Sequence, residues 1–174
     1  MQIKIENFEA KNIINFYLPQ NVAPEGTLAV ATSVQNSKTL LGRILQIDGV
    51  VRCLLSPMVI SVQYSASATA DTKLLIMAEI EDFYSEQKEN TIVEQTPIDE
   101  LQQAEALADA FIRPSLYRDK GDIVLHSVKN GVIELSFTGH CAGCPYAQNT
   151  LHNVVFKTFK QYMPQIYDVH LKEA

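Results

Sequence analysis

The sequence predicts an α+β protein of two small α/β-sandwich-like domains, the second running helix–hairpin–helix–strand over a small mixed sheet. Three observations carry that prediction. Short apolar runs of period two sit beside stretches of helical spacing in both halves, a pattern of mixed folds rather than all-α or all-β ones. A polar stretch, Ser85–Thr96, reads SEQKENTIVEQT with only Ile92 and Val93 as aliphatics, so it parts the chain as a linker. Asn130-Gly131, between two alternating apolar runs, is the strongest short-range hairpin signal in the sequence. The expected boundaries are a first domain over 1–86, a linker over 87–97 and a second domain over 98–174.

In the first half, Asn12–Leu18 alternates with Ile14, Phe16 and Leu18 on one side, which predicts a half-buried strand. Leu28–Thr32 is a second, weaker strand. Ser37 can cap a helix whose Leu40, Leu41, Ile44 and Leu45 share one face, and Asp48-Gly49 stops it. Val50–Ser56 and Val59–Gln63 read as strands around Ser56-Pro57. A longer helix follows Asp71, with Ile76, Ile80, Phe83 and Tyr84 as its apolar stripe; Glu79, Glu81 and Asp82 then fall on a solvated face. Cys53, alternating with Val51 and Leu55, reads as a small core residue.

The second half is more sharply punctuated. Thr96-Pro97 predicts a helix start, with Asp99 and Glu100 favourable near its positive end and Leu101, Ala104, Leu107, Ala108 and Phe111 as the buried stripe. Pro114 has no N–H to donate, so the helix should kink or break near Ile112-Arg113. Asp122–Val128 and Val132–Thr138 flank the hairpin turn, with Ile133, Leu135 and Phe137 on one side. Leu151, Val154, Val155, Phe159 and Tyr162 predict an amphipathic helix after Pro145, ended by Pro164 and followed by a strand over Ile166–Leu171.

Composition removes several functions. Lysine and arginine total 14 against 20 aspartates and glutamates, a formal charge of −6, and cutting after Lys88 leaves both halves acidic. Nucleic-acid binding needs a basic surface to displace counterions, so none is expected. The longest uninterrupted aliphatic run is Leu74–Ala78, far short of the ~18 residues of a spanning helix, so no membrane partner is expected either. The start, MQIKIENFEAKN, has no apolar signal-peptide core, and no arginine occurs before Arg43. The expected location is cytoplasmic, of bacterial type, or mitochondrial in a matured form. Three cysteines, Cys53, Cys141 and Cys144, are too few for a disulfide framework.

One segment concentrates chemistry: Thr138-Gly139-His140-Cys141-Ala142-Gly143-Cys144-Pro145-Tyr146, where a strand ends and a helix begins. Two cysteines three positions apart on a turn can aim both sulfurs at one point, and Gly139 and Gly143 let the backbone bend around them. A helix N-terminus favours negative charge, so both thiols are expected to lose protons more readily than a free cysteine. Pro145 fits the first turn of that helix.

Four uses are open to such a pair. It can be two buried cysteines with no further role. It can be a thiol–disulfide oxidoreductase, although the preceding aromatic and central proline common in that class are missing and a hairpin, not a βαβ unit, lies upstream. It can bind zinc, but a structural site wants four ligands, and His152 and His170 stand 18 positions apart rather than at finger spacing. His140 reads as a loop residue rather than a ligand. Or two chains related by a two-fold axis can pool four thiolates, the ligand set of an iron–sulfur cluster or of a dimeric zinc site. Spacing alone does not choose between those two. No Ser/His/Asp order, phosphate-cradling glycine loop or HExxH points to an enzyme.

From about Asp99 onward the sequence resembles the C-terminal domain of NifU-like (Nfu) iron–sulfur cluster scaffold and carrier proteins. The residues that carry the resemblance are Ile112-Arg113-Pro114-Ser115-Leu116, Asp119-Lys120-Gly121-Asp122-Ile123-Val124-Leu125, Gly131-Val132-Ile133 and Gly139-His140-Cys141-Ala142-Gly143-Cys144-Pro145. They parallel family stretches of the form IRPxL, DGGDxxLxxV, GVVxV and GxCxGCP. Leu45-Gln46-Ile47-Asp48-Gly49-Val50 and Ile60-Ser61-Val62 extend a weaker resemblance to the N-terminal domain of two-domain members. Lys120 stands where the family has the first of two glycines, which predicts a less tight turn, and the chain has no Trp. The resemblance implies a non-enzymatic carrier in which Cys141 and Cys144 of each of two chains hold a labile 4Fe–4S cluster. It further implies a homodimer on cluster binding, supplied by upstream cluster-assembly proteins and delivering to acceptor apoproteins.

Overall fold

The computed structural model describes residues 2–86 and 98–172. They belong to two compact units, Met1–Ile98 and Asp99–Ala174. The polar stretch expected as a linker, 87–97, lies outside the described residues, and Thr96 and Pro97 with it.

The first unit is a five-stranded antiparallel sheet carrying two helices. Its strands are β1 (Lys4–Phe8), β2 (Ile13–Tyr17), β3 (Ala29–Ala31), β4 (Val50–Leu55) and β5 (Val59–Tyr64), in the order β1-β2-β5-β4-β3. Helix α1 (Leu40–Leu45) precedes β4, and α2 (Thr72–Ser85) follows β5. Ile14, Phe16, Ile44, Ile60, Val62, Ile76 and Ile80 form the centre of its apolar core. Strand β2 is buried along Ile13–Phe16 on both faces, rather than the one face its alternation predicts.

Three local details depart from the sequence reading. The charged alternation at Lys4–Phe8 conceals a strand, β1, at the sheet edge. The cap of α1 is Thr39 rather than Ser37: its Oγ1 accepts the Gly42 N–H at 3.1 Å. Pairing of β4 with β5 slips between Val50 and Arg52, so Val51 is 44% exposed while Cys53 and Leu55 stay buried. A bulge of this kind turns the extra residue outward.

The second unit begins at α3 (Glu100–Leu107). Asp99 caps it, accepting the Gln102 N–H on Oδ1 at 2.7 Å, so the helix opens later than Thr96-Pro97. A single wide π turn, Ala108–Ile112, then leads into α4 (Arg113–Arg118). Here Pro114 produces a widening in place of a kink: the Arg113 N–H reaches back to the Ala108 carbonyl, five residues earlier. The extra residue per turn makes room for a ring that would otherwise strike a carbonyl of the preceding turn.

Strands β6 (Gly121–Lys129) and β7 (Val132–Gly139) follow as an antiparallel hairpin, and β8 (Asp168–Leu171) runs parallel beside β7. Asn130 and Gly131 take φ of 52° and 76°, the mirror-image turn that matches strand twist. Between β7 and β8 lie α5 (Ala147–Thr150), a second π turn (Leu151–Phe156) and α6 (Lys157–Tyr162). No proline accounts for this second widening. Strand β8 starts two residues later than expected, because the Tyr167 and Asp168 N–H groups both donate to the Gly131 carbonyl. Ile123, Ile133, Leu135, Val155 and Phe159 are the buried centre of this unit. No helix among the described residues is long and apolar enough to cross a membrane.

Replacing Thr39 by alanine removes a buried cap bond and should lower stability by about 1 kcal/mol, read as a shift in the urea unfolding midpoint.

Candidate functional site

Cys141 and Cys144 lie on the turn from the end of β7 to the start of α5, both as free, half-buried thiols. The turn closes on its own carbonyls. Ala142 N–H donates to Gly139 O (3.1 Å), Cys144 N–H to Cys141 O (3.4 Å) and Ala147 N–H to Cys144 O (3.0 Å). Gly139 and Gly143 take φ of 63° and 72°, a left-handed backbone that costs a residue with a Cβ about 1–2 kcal/mol. The sharp bend therefore depends on both. Pro145 does not enter the helix: α5 begins at Ala147, after Tyr146, which is 70% exposed.

A second turn, Asp119-Lys120-Gly121, braces the first. His140 N–H donates to the Lys120 carbonyl at 3.1 Å, and Gly121 pairs with Gly139 across the hairpin. Lys120 itself adopts φ 57°, so lysine takes the left-handed conformation that favours glycine, at a conformational cost. A side chain at 121 has no room: a methyl group there would run into Cys141 Sγ and lie 2.9 Å from Cys141 Cβ.

What holds this second turn is Arg113. Buried at the start of α4, it donates from Nη1 to Asp109 Oδ1 and Glu105 Oε2, each at 2.7 Å. Its Nε donates to Asp122 Oδ1 (3.2 Å) and its Nη2 to the Ile123 carbonyl (3.1 Å). Burial alone would lower the guanidinium pKa, but the carboxylates of Asp109 and Glu105 outweigh it and hold the group above its ordinary value. Arg113 thus ties α3, the π turn and the first residues of β6 together, one residue from the contact with Cys141.

The electrostatics at Cys141 run against the sequence expectation. Its pKa is raised, first by burial and then by Asp119, by the neighbouring Cys144 thiol and by Asp122. The helix offering its positive end is a single turn, Ala147–Thr150, before the wide π turn. Burial, with Asp119 of the bracing turn and Asp122 of β6, outweighs it.

The remaining candidates are elsewhere. Cys53 is fully buried in β4, where burial pushes its thiol pKa far up, as befits a core residue. His140 and His152 are exposed, and His170 pairs with Asp168 at 2.8 Å on β8. Among the described residues, no group of three or more His, Cys, Asp or Glu side chains is arranged to hold a metal ion. The sequence reading missed Gly121 and Arg113 as parts of the site. Both stand in the stretches that carry the family resemblance, and hairpin register further sets residue 121 near residue 139.

Residues 105–170 match the NifU-like domain family, a span that contains both cysteines, both turns and Arg113. That match covers the second unit and resembles what the cysteine turn alone suggests. Among the chain's relatives is the human "NFU1 iron-sulfur cluster scaffold homolog, mitochondrial", 26% identical over 182 residues, covering 97% of this chain and 71% of the human one. The Drosophila persimilis protein of the same name is 41% identical over 63 residues, 36% of this chain. The chain's match spans only 22% of that relative's length. Of solved structures, protein SAV1430 from Staphylococcus aureus aligns over 48% of this chain and 99% of its own, with 22% identity and a TM-score of 0.38.

Replacing Arg113 by methionine leaves Asp109 buried without its cation and should destabilise the second unit by about 3–5 kcal/mol in urea denaturation.

Proposed function

We propose that this protein is an Nfu-type, non-enzymatic carrier that holds a 4Fe–4S cluster between two copies of the chain and passes it to acceptor apoproteins. The observation that carries the reading is the Cys141–Cys144 turn inside a NifU-like domain: two half-buried thiols at the mouth of a hairpin, with no third ligand grouped with them among the described residues. Two sulfurs are half of the four-cysteine set such a cluster takes, and a second chain brings the other half.

Loading comes from cluster-assembly proteins and releases the two thiol protons of each chain to solvent. Delivery is ligand exchange. An acceptor thiolate forms an Fe–S bond as one cysteine's Fe–S bond breaks, and the step repeats until the acceptor holds the cargo, with no net change in iron oxidation state. The acidity around Cys141 favours this direction, because Asp119 and Asp122 repel an anionic cluster and loosen the hold. The same feature weakens the thiol–disulfide alternative, which needs a depressed thiol pKa for its attacking sulfur. The first unit, which contributes neither cysteine of the turn, is free to select acceptors.

Anaerobic reconstitution with iron and sulfide should give a brown protein with about two irons per chain, as a cluster shared by two chains requires. Cys141→Ser and Cys144→Ser should each abolish the chromophore, and Cys53→Ser should keep it. A colourless product that takes up only zinc, or insulin reduction by the metal-free chain, would contradict the proposal.

A further inference from the structure

We infer that Gly121 is a positioning residue for Cys141: the cysteine sulfur occupies the space that a side chain on residue 121 would fill, and this fixes where the sulfur points. The inference rests on the reading of Cys141 as a cluster ligand and goes beyond it by naming what orients that ligand. A methyl group on Gly121 would strike Cys141 Sγ, lie 2.9 Å from Cys141 Cβ and lie 3.2 Å from Cys141 N. Nothing conformational calls for glycine here. Gly121 is absent from the positive-φ residues and pairs as an ordinary strand residue with Gly139, so any residue could adopt its backbone. The demand is for space, and the sulfur uses it.

The contrast with the other site glycines sharpens the point. Gly143 is needed for its φ of 72°, and a methyl group there would meet nothing within 4 Å. Gly139 is needed for both reasons, since a methyl group would also fall 2.5 Å from the Lys120 carbonyl. Gly121 alone of the three is given over to the sulfur. Its own place is held from the far side, because the next residue, Asp122, accepts from buried Arg113 and the preceding carbonyl, Lys120 O, accepts from His140 N–H. Cys141 is therefore held against β6 rather than left to rotate on the turn.

The test is a double-mutant cycle on the full chain, read by urea unfolding, together with site-resolved alkylation of the thiols by iodoacetamide. Gly121→Ala should destabilise the chain, and most of that loss should disappear in a Cys141→Ala background, where the struck atom is gone. If Gly121→Ala fails to fold, the Gly121→Ala/Cys141→Ala double variant should fold again. In folded Gly121→Ala, Cys141 should alkylate severalfold faster than in the unaltered chain, with Cys144 little changed, and anaerobic iron uptake should fall by more than half. An equal penalty in both backgrounds, or unchanged Cys141 alkylation with full iron uptake, overturns the inference. Should the unaltered chain take up no iron at all, the carrier reading fails instead, and the coupling between residues 121 and 141 still decides the role of Gly121.

Discussion

Arg113 sits beneath the start of β6 with three carboxylates and a backbone carbonyl around it, and the placement of the cysteine turn follows from that cluster. A buried ionic group of this kind adds little net stability over an apolar core of equal volume, yet removing one partner strands the rest at high cost. Its consequence is geometric. Two of its acceptors, Asp109 and Glu105, belong to the helical segment, and two, Asp122 Oδ1 and Ile123 O, to the strand, so helix and strand can meet in one way only. Gly121 adjoins that junction, Cys141 packs on Gly121, and the turn that carries Cys144 hangs from Cys141 and the Gly139 bend.

The carboxylates that anchor this junction also set the charge around Cys141. Three acids on one guanidinium leave a local excess of negative charge, and Asp119 adds to it beside Cys141. A tight resident metal site would want the opposite field. The proposed carrier, which must let go, gains from this one, because the Cys141 thiolate is held at a disadvantage, by burial and by these acids, that an acceptor with a more favourable environment can exploit. The exposed edge of the turn, with Pro145 and Tyr146 open to solvent, leaves room for a second chain or an acceptor to approach.

Much of this was legible in the sequence, and the exceptions have physical causes. Asn130-Gly131 announced the hairpin, and the apolar spacing of Leu151–Tyr162 announced the crossover helix, because turn chemistry and helical period are local signals. The edge strand Lys4–Phe8 was not legible: an edge tolerates the lysine and glutamate that disguise it. Val51 misled because a bulge breaks the alternation that sequence counting assumes. Pro114 marked the right place but the wrong remedy, a π turn instead of a kink. The Cys141 thiol departs from expectation because its burial, and the approach of Asp119 and Asp122, arise only when the hairpin closes. Gly121 lay almost within reach. Counting back from Lys129 opposite Val132 sets residue 121 opposite residue 140, and the slip at His126 shifts that to Gly139.

A single determination bears on the central claim most directly: native mass and iron content measured together on oxygen-free, iron- and sulfide-loaded protein. Iron confined to a two-chain species at about four atoms per pair is the expected result. A single chain carrying a complete cluster, or paired chains whose pairing survives loss of both cysteines while iron is retained, would contradict it.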